Sequence, residues 1–421
     1  MAKIIVAAPP FPGDFSPLLQ IARGLAARGH QVTMLAWSSS RAAVEEAGLA
    51  FAAPAGAADY SLQEEVTLNA VQPPGPPQLN FGFSHSFIDP MPGLHATLQE
   101  LLRRDPDQYL VSNIIVTAAW PVRQGAPGRR PLRWVGVSAA PVLLDSDDTT
   151  FFGPVPVRPG EDQKAANRAA NAQFRALLKP SDDRADEVLA ELGGAPLTSP
   201  FIDALYTMAD ATAVLTVPGL EFGRDDAPDS LHLVGILPGP RAVGWQPPAW
   251  WAELDGSRPV VVVTQGTLAN RDLSALIEPT LRGLADRDVT VVAALGRDAG
   301  PLSVPVPSNA RVGEFIPFEA LLPKADAFIT NGGFGGTQQA LAAGVPVIAA
   351  GLTEDKPAVA ARVAHRGVGI NLQTATPTPE EVADATDAIL KDTAMRDRAR
   401  ELAQEYAAHD PLSEIERLLL G

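Results

Sequence analysis

The chain of 421 residues contains no cysteine. That absence excludes disulfide bonds, thiolate nucleophiles and zinc sites built from thiolates. The chain also lacks any apolar run near the roughly 20 residues that a membrane-spanning helix needs. Hydrophobic residues make up 46% of the sequence, but alanine inflates that figure. Composition therefore gives no indication of a membrane-inserted protein, and no repeat of fixed period is visible.

Positive charge is scarce, with 33 Lys and Arg against 49 Asp and Glu and a formal net charge of −16. Nucleic-acid binders present basic surface, so we expect no nucleic-acid partner. A small anionic ligand is still compatible with this charge, because a local helix terminus can hold it. The first ten residues show a short strand pattern without the apolar core of a signal peptide. We expect a cytoplasmic monomer or homodimer.

What the chain does contain is a glycine-rich stretch at residues 331–336, between two short apolar runs. Its pattern predicts a strand, a tight loop, a helix and a second strand. The N-terminus of such a helix presents unpaired N–H groups and the positive end of its dipole, and glycine lets the backbone approach an anion. We interpret the stretch as a diphosphate site. A glycine loop that only makes a tight turn is the alternative.

Strand and helix patterns alternate on both sides of a Pro-rich segment, which indicates parallel α/β sheets. Ligands of such sheets bind at the carboxyl ends of the strands. We predict two α/β domains at residues 1–236 and 257–392, an interdomain linker at 237–256 and C-terminal helices at 393–421.

Three local predictions concern the first half. Ser16 before Pro17 is typical of a helix N-cap, which predicts a helix over residues 17–28. Polar helices are predicted over residues 161–178 and 181–192. The sequence changes character over residues 52–95, where residues 73–77 and 80–87 combine proline, glycine and aromatic residues and break the periodicity, so we expect a loop there. Aromatic residues in such loops often line a binding site, and a plain surface loop is the alternative.

These features together resemble the nucleotide-sugar-dependent glycosyltransferases of the GT-B fold. That family includes plant UDP-glycosyltransferases and bacterial antibiotic and macrolide glycosyltransferases. Residues 312–356 resemble its donor-binding signature, residues 12–19 and 28–33 its N-terminus, and Gly266-Thr267 a third landmark. The resemblance implies an α/β GT-B fold with two Rossmann-like parallel-sheet domains facing a cleft. It also implies an acceptor-binding first domain, a nucleotide-sugar-binding second domain and a last helix that returns to the first domain.

The resemblance implies a set of nucleotide-binding and diphosphate-binding residues. They are Gly266, Thr267, Phe315, Ile316, Asn331, Gly333, Gly335, Gly336, Thr337 and Gln339. Phe315 stands where the family stacks the nucleobase, usually with Trp, and Gln339 where it binds ribose with a carboxylate. Asn331 replaces the more common His and cannot carry positive charge. A core Phe and an ordinary polar helix residue are the alternatives for Phe315 and Gln339.

A charged group at Glu354, Asp355 and Lys356 follows a predicted strand. In the family an acid–amide pair at this place holds sugar hydroxyls. Asp355 would accept hydrogen bonds from those hydroxyls, and Lys356, in the place of the amide, only donates. The resemblance therefore implies a sugar-binding site whose preference differs from that of glucose-type enzymes. A solvated charge cluster is the alternative.

Asp14 stands where many relatives have the catalytic His, and some glycopeptide-antibiotic glycosyltransferases have Asp. The resemblance implies an inverting reaction in which this residue removes the proton of the acceptor hydroxyl. An exposed Asp has a pKa of about 3.9 and is a weak base, although desolvation or an acidic acceptor such as a phenol would help. Helix capping by Asp14 is the structural alternative.

The candidate acceptor contacts are aromatic and lie in the first half: Phe15, Phe83, His85 and Phe87. Asp145 and Asp147 have the Asp-x-Asp spacing of metal-dependent transferases, but we interpret them as part of a polar loop near the acceptor. We expect no metal ion and no cofactor. The co-substrate would be a UDP-sugar or a dTDP-sugar.

The sequence thus predicts a glycosyltransferase that acts on a hydroxyl of a small lipophilic acceptor. Two other readings use the same fold. One is a nucleotide-sugar 2-epimerase, which would need several carboxylates and His at the sugar site. The other is a non-catalytic glycosyltransferase-like activator protein, which the Asp14 and Asn331 replacements leave open.

Overall fold

The structure is a computed structural model that describes residues 1–73, 75–239, 244–266, 270–296 and 299–421. The predicted site residue Thr267 lies outside these ranges. The chain divides into two compact units. Unit 1 comprises Met1–Leu215, Gly223–Leu237 and Asp410–Gly421, and unit 2 comprises Thr216–Phe222 and Pro238–His409.

Parallel strands form one sheet in each unit. The strands are β1 (Lys3–Ala8), β2 (Gln31–Ala36), β3 (Ala50–Ala52), β4 (Gln108–Asn113), β5 (Trp134–Ser138), β6 (Ala211–Val214), β7 (Leu231–Leu233), β8 (Val260–Thr264), β9 (Thr290–Ala294), β10 (Ala310–Gly313), β11 (Ala327–Thr330), β12 (Val347–Ala349) and β13 (Gly369–Asn371). The order is β3-β2-β1-β4-β5-β6-β7 in unit 1 and β10-β9-β8-β11-β12-β13 in unit 2.

Helices connect and cover these strands. They are α1 (Pro12–Ala27), α2 (Arg41–Glu46), α3 (Leu62–Ala70), α4 (Pro76–Phe83), α5 (Met91–Arg104), α6 (Trp120–Arg123), α7 (Gln163–Glu191), α8 (Phe201–Thr207), α9 (Ile277–Gly283), α10 (Phe318–Leu321), α11 (Phe334–Ala342), α12 (Lys356–His365), α13 (Pro379–Lys391), α14 (Thr393–Ala407) and α15 (Pro411–Leu420). Helix α15 belongs to unit 1 and α14 to unit 2. None of the described helices is long and apolar enough to cross a membrane.

The sheets are buried on both faces, as parallel sheets require. Along β1, Ile5 and Ala7 belong to one core cluster, while Ile4 and Val6 belong to another on the opposite face. Strand β8 is a continuous run of valines and one threonine, and every residue of it is buried. This double burial explains why the strands read as unbroken apolar runs in the sequence.

The segment Thr216–Phe222 packs into unit 2 through a buried ion pair. Nε of Arg362 donates to the Glu221 carboxylate at 2.8 Å, and these side chains are 0% and 3% exposed. The Arg362 guanidinium also lies 4.6 Å from the ring centre of Phe222. Removing one partner of such a pair leaves an uncompensated buried charge.

The predicted start of the first helix is wrong. Helix α1 begins at Pro12, so Ser16 and Pro17 lie inside it. Pro12 provides the same start signal as Pro17, because its missing N–H and fixed φ suit the first helical position. No side chain forms a cap hydrogen bond at the N-cap residue, Phe11.

The loop predicted at residues 73–87 is also wrong over most of its length. Helix α4 begins at Pro76, and a π-helical turn over Ser84–Ile88 continues it. The prolines start this helix rather than break it. The Asn80 side chain then ties it to α7, because its amide donates to the Leu177 carbonyl at 2.7 Å.

One helix, α7, replaces the two predicted over residues 161–192, and Pro180 lies inside it. Proline removes one helical hydrogen bond and crowds the preceding turn. The next residue, Ser181, donates from its backbone N–H and its hydroxyl to Oδ1 of Asn80, at 3.2 and 2.6 Å. This tertiary contact secures the helix where local sequence favours a break.

Candidate active site

In unit 2 the carboxyl ends of β8, β11 and β12 lie side by side. Thr330 pairs with Thr264 on one side and Ala349 on the other, so the segments that follow share one edge of the sheet. These segments are residues 265–266, 331–333 and 350–356, and we call them the unit 2 edge. The glycine-rich stretch therefore lies at the sheet edge where ligands of parallel sheets bind.

Asn331 organises this edge through its side-chain amide. Its Nδ2 donates to the Gln265 carbonyl at 2.5 Å, and its Oδ1 accepts from the Gly333 N–H at 3.3 Å. A Cβ built on Gly266 would lie 3.6 Å from Oδ1 of Asn331. Asn331 thus holds the loops after β8 and β11 against each other, and it brings no formal charge.

Helix α11 begins directly after this loop, with Gly333 as its N-cap and no side-chain cap hydrogen bond. Its first turn contains Gly335 and Gly336. A Cβ added at Gly335 would meet no atom within 4 Å, and one at Gly336 would make only ordinary contact with the Phe318 ring at 3.8 Å. Packing does not require these two glycines, which leave the N–H groups of the first turn open to a ligand.

Thr337 and Gln339 occupy different surroundings from each other. The Thr337 side chain is fully buried, and its hydroxyl has no hydrogen-bond partner among the described residues. Gln339 is half-buried, and its Oε1 lies 3.1 Å from a Cβ built on Gly239. Between them, Gln338 accepts a 3.0 Å hydrogen bond from the Tyr406 hydroxyl, which fixes α11 on α14. Burial raises the pKa of the Tyr406 phenol well above its usual value, so it stays a donor.

Phe315 follows β10, and 44% of it is exposed. Its neighbour Ile316 is buried, and a Cβ on Gly313 would meet the Ile316 side chain at 2.7 Å. Ile316 therefore anchors the segment, while the Phe315 ring presents area suited to stacking.

The segment after β12 carries three charged side chains. Glu354 has φ of 57°, in the left-handed region, and its carboxylate pairs with Nζ of Lys356. Nζ of Lys356 also lies 3.3 Å from the Thr353 hydroxyl. Asp355 is half-buried, and burial raises its pKa to about 6. The Glu354 charge adds to that rise, and the Lys356 charge opposes it.

The segments after β11 and β12 touch directly. A Cβ added at Gly351 would collide with the Asn331 carbonyl and would lie 3.0 Å from Cδ of Lys356. A Cβ at Gly332, where φ is 86°, would lie 3.4 Å from Cβ of Lys356. The Lys356 stem thus lies against the glycine loop, a contact that no sequence pattern reveals.

In unit 1, Asp14 lies in the first turn of α1, just beyond the carboxyl end of β1. Its Oδ1 accepts a 2.9 Å hydrogen bond from the amide of Asn113, the last residue of β4. Asn113 is fully buried and also receives the Ile115 N–H at 3.1 Å. The hydrogen bond from Asn113 therefore orients the Asp14 carboxylate. Asp14 lies inside α1, whose N-cap residue is Phe11. Sequence reasoning missed Asn113, which is the last residue of β4 in the structure.

A group of aromatic side chains includes Phe11, the N-cap residue of α1, whose backbone carbonyl accepts the Asp14 N–H at 3.0 Å. The Phe11 ring meets Phe87 edge-on at 6.1 Å, and Phe87 lies 5.8 Å from Phe83. We call Phe11, Phe83 and Phe87 the aromatic cluster of the unit 1 edge. Phe15 lies apart from it and packs against the core cluster on the other face of the sheet.

His85 belongs to a second aromatic group. It stacks on Phe81 at 5.1 Å and lies 5.9 Å from Tyr60, which itself contacts Trp37 just after β2. Sequence reasoning did not select Tyr60 or Trp37, because their neighbourhood depends on how β2 and the π-helical turn pack.

Both carboxylates of the Asp-x-Asp motif face arginines of α7. Asp145 pairs with Arg175, and Asp147 pairs with Arg168 at 2.7 Å. Among the residues that the structure describes, no group of three or more His, Asp or Glu is arranged to hold a metal ion.

Sequence comparison finds glycosyltransferases among the relatives of this chain. Residues 278–420 match the family described as erythromycin biosynthesis protein CIII-like, C-terminal domain. UDP-glycosyltransferase 2 of Phaeomoniella chlamydospora is 36% identical over 98% of this chain and 94% of the relative. The 4'-demethylrebeccamycin synthase of Lentzea aerocolonigenes is 34% identical over 100% of this chain and 99% of its own.

Solved structures agree. The glycosyltransferase of kitacinnamycin superposes with a TM-score of 0.72 at 25% identity, covering 99% of both chains. Glycosyltransferase VinC, solved in complex with dTDP, gives 0.67 at 20% identity over 99% of both chains and shows the shared fold. The relatives and structures named here include neither an epimerase nor an activator protein, so neither alternative gains support. The chain belongs to the nucleotide-sugar-dependent glycosyltransferases of the GT-B fold, the family of the UDP-glycosyltransferases and the antibiotic and macrolide glycosyltransferases.

Proposed function

We propose that this glycosyltransferase moves a sugar, with inversion, from a UDP-sugar to a hydroxyl of a small lipophilic acceptor, and that Asp14 is the general base. The observation that carries the proposal is the Asp14 carboxylate, which accepts a 2.9 Å hydrogen bond from the amide of Asn113 at the carboxyl end of β4. An oriented carboxylate can take the proton of an acceptor hydroxyl, and the aromatic cluster that begins three residues earlier, at Phe11, offers apolar surface for an aromatic or aliphatic skeleton.

The donor part of the proposal rests on the unit 2 edge. The open first turn of α11 offers backbone N–H groups and a helix dipole to the diphosphate, and no metal ion is needed for that contact. The exposed Phe315 ring would stack on the base, with Gln339 near the ribose. Asp355 would accept from sugar hydroxyls. We favour UDP over dTDP because relatives that align over nearly their whole length are named UDP-glycosyltransferases.

The acceptor part favours a phenol. The carboxylate of an aspartate has an ordinary pKa of about 3.9, which makes it a weak base toward an alcohol. A phenol has a pKa of about 10 and gives up its proton far more readily than an alcohol. The proton passes to Asp14 as the oxygen attacks the anomeric carbon, and the C–O bond to the diphosphate breaks on the opposite face.

The test incubates the protein with UDP-glucose or dTDP-glucose and a panel of phenols and aliphatic alcohols, with mass detection of glycosides. We expect phenolic β-glucosides, identified by the coupling of the anomeric proton, and a preference for UDP. An α-glucoside would contradict inversion. Epimerised sugar nucleotide, or no glycoside from any acceptor, would contradict the proposal itself.

A further inference from the structure

The unit 2 edge is poor in positive charge for a site that would hold a diphosphate. Residues 331–342, which form the glycine loop and α11, include no ionisable side chain. A helix N-terminus supplies the equivalent of about half an elementary charge. A nucleoside diphosphate is multiply anionic, so this edge needs a further cation if it is to hold one firmly.

One cationic residue occurs in the segments that make up this edge and α11, namely Lys356. Its Cβ would lie 3.4 Å from a Cβ on Gly332, and its Cδ 3.0 Å from one on Gly351. Gly351 in turn lies against the Asn331 carbonyl. The Lys356 stem is therefore packed against the loop that precedes α11, and only 12% of its side chain is exposed.

The ammonium of Lys356 is held by an anion that is easy to displace. Its partner Glu354 is 69% exposed and sits at a φ of 57°, a backbone region that L-residues adopt at a cost. An exposed carboxylate is well hydrated, so its ion pair adds little stability. The flexible stem of lysine lets the ammonium turn from Glu354 toward a second anion.

We infer that Lys356 binds the diphosphate of the donor and the leaving nucleoside diphosphate, with Glu354 as the anion that it exchanges. The inference rests on the proposed donor site and gives Lys356 a different role from the contact with sugar hydroxyls that its place in the family implies. Lys356 supplies the charge that Asn331 lacks. As the glycosidic bond breaks, negative charge grows on the diphosphate, and a fixed ammonium stabilises that charge.

The first experiment titrates UDP, UMP and uridine into the wild type, Lys356→Gln and Lys356→Arg by calorimetry. We expect Lys356→Gln to weaken UDP binding by about 10- to 100-fold, as loss of a charged hydrogen-bond donor does. The affinity of Lys356→Gln for uridine should stay within about twofold of that of the wild type. Its loss of affinity for UMP should lie between the losses for UDP and uridine. Lys356→Arg should keep most of the UDP affinity and its dependence on salt.

The second experiment tests the exchange of partners with a double-mutant cycle. Glu354→Gln should tighten UDP binding several-fold in the wild-type background, because the competing carboxylate is gone. In the Lys356→Gln background the same change should have no effect. An equal effect in both backgrounds would show that Glu354 acts through the general field, and would overturn the exchange.

Other outcomes also decide the matter. If Lys356→Gln leaves UDP affinity unchanged but alters the preference among UDP-sugars, Lys356 serves the sugar and the inference is wrong. If the variant loses affinity for uridine as much as for UDP, Lys356 supports the structure of the loop and is not a diphosphate ligand. Failure of the wild type to bind UDP or dTDP would instead remove the proposed donor site, which separates the two failures.

Discussion

The two sheet edges are built from different groups. At the unit 2 edge a diphosphate would meet backbone N–H groups and the one side chain of Lys356, since Asn331 joins two loops and Gly335 and Gly336 present no side chain. At the unit 1 edge the reactive and apolar groups are side chains, Asp14 and the aromatic cluster. A site made of backbone N–H groups depends on the conformation of its loop, whereas a site made of side chains changes its chemistry with each single substitution.

The largest expected effect comes from replacing Asp14, the proposed general base of the first unit. Asp14→Asn keeps the shape and the hydrogen-bonding ability toward Asn113 but cannot take a proton. We expect turnover to fall about 100-fold or more, the usual contribution of a general base. The measurement is kcat with a phenol acceptor, alongside UDP affinity, which should not change.

Asp105→Asn is the matched control for that variant. Asp105 pairs with Lys3 at the opposite end of β1, so turnover should stay close to that of the wild type. Near-normal turnover in Asp14→Asn, with donor binding intact, would remove Asp14 from the mechanism.

The glycines of the unit 2 edge offer a matched pair. Gly351→Ala would force a methyl group into the Asn331 carbonyl and the Lys356 stem, whereas Gly335→Ala meets open space. We expect the first to cost roughly 1–3 kcal/mol of stability and to raise the KM for the donor, and the second to cost far less. Thermal melts and donor titrations measure both. Equal effects from the two substitutions would contradict the contact between the loops.

Asp355 gives a pH-dependent prediction at the same edge. Its pKa is raised from 3.8 to about 6, so its contribution to stability is complete below about pH 4 and is lost as the pH rises through 6. Asp355→Asn is neutral throughout. We therefore expect the variant to match the wild type near pH 4 and to be more stable above pH 7 by roughly 1–3 kcal/mol.

Melting temperatures of both proteins at pH 4 and pH 7.5 test this sign. The gain should come with weaker binding of the donor sugar, because the variant loses the carboxylate acceptor. A variant that is less stable than the wild type at pH 7.5 would contradict the burial of this carboxyl group.

The smallest expected effect is that of a chelator. If the helix terminus and side chains hold the diphosphate without a metal ion, EDTA should change kcat by less than about twofold. Loss of activity in EDTA that added Mg²⁺ restores would show that a metal ion shares the donor site.

The sequence predicted what depends on local pattern. The apolar runs of β1, β8 and β11 and the glycines before α11 were visible, because double burial and tight loops leave strong signals. The resemblance then suggested which of these residues bind a nucleotide sugar, and relatives of high coverage confirmed the family.

What depends on packing was not visible. Pro180 continues a helix because Asn80, a hundred residues earlier, replaces the missing backbone contacts. The prolines in the first turn of α4 start a helix where the sequence predicted a loop. Lys356 reaches the glycine loop, and Asn113 reaches Asp14, only because neighbouring strands bring them to one edge. Such pairs leave no periodic trace in a single sequence.

The buried ion pair of Arg362 and Glu221 determines which segments must stay together when parts of such enzymes are exchanged. A fragment cut from this chain as residues 238–409 would lack Glu221 and would leave the buried Arg362 charge without its partner. Removing one partner of such a pair typically costs about 3–5 kcal/mol, a large part of a domain's stability. Chimeras that exchange unit 2 between relatives should therefore include Thr216–Phe222 together with Pro238–His409, because this short segment belongs to the same folding unit.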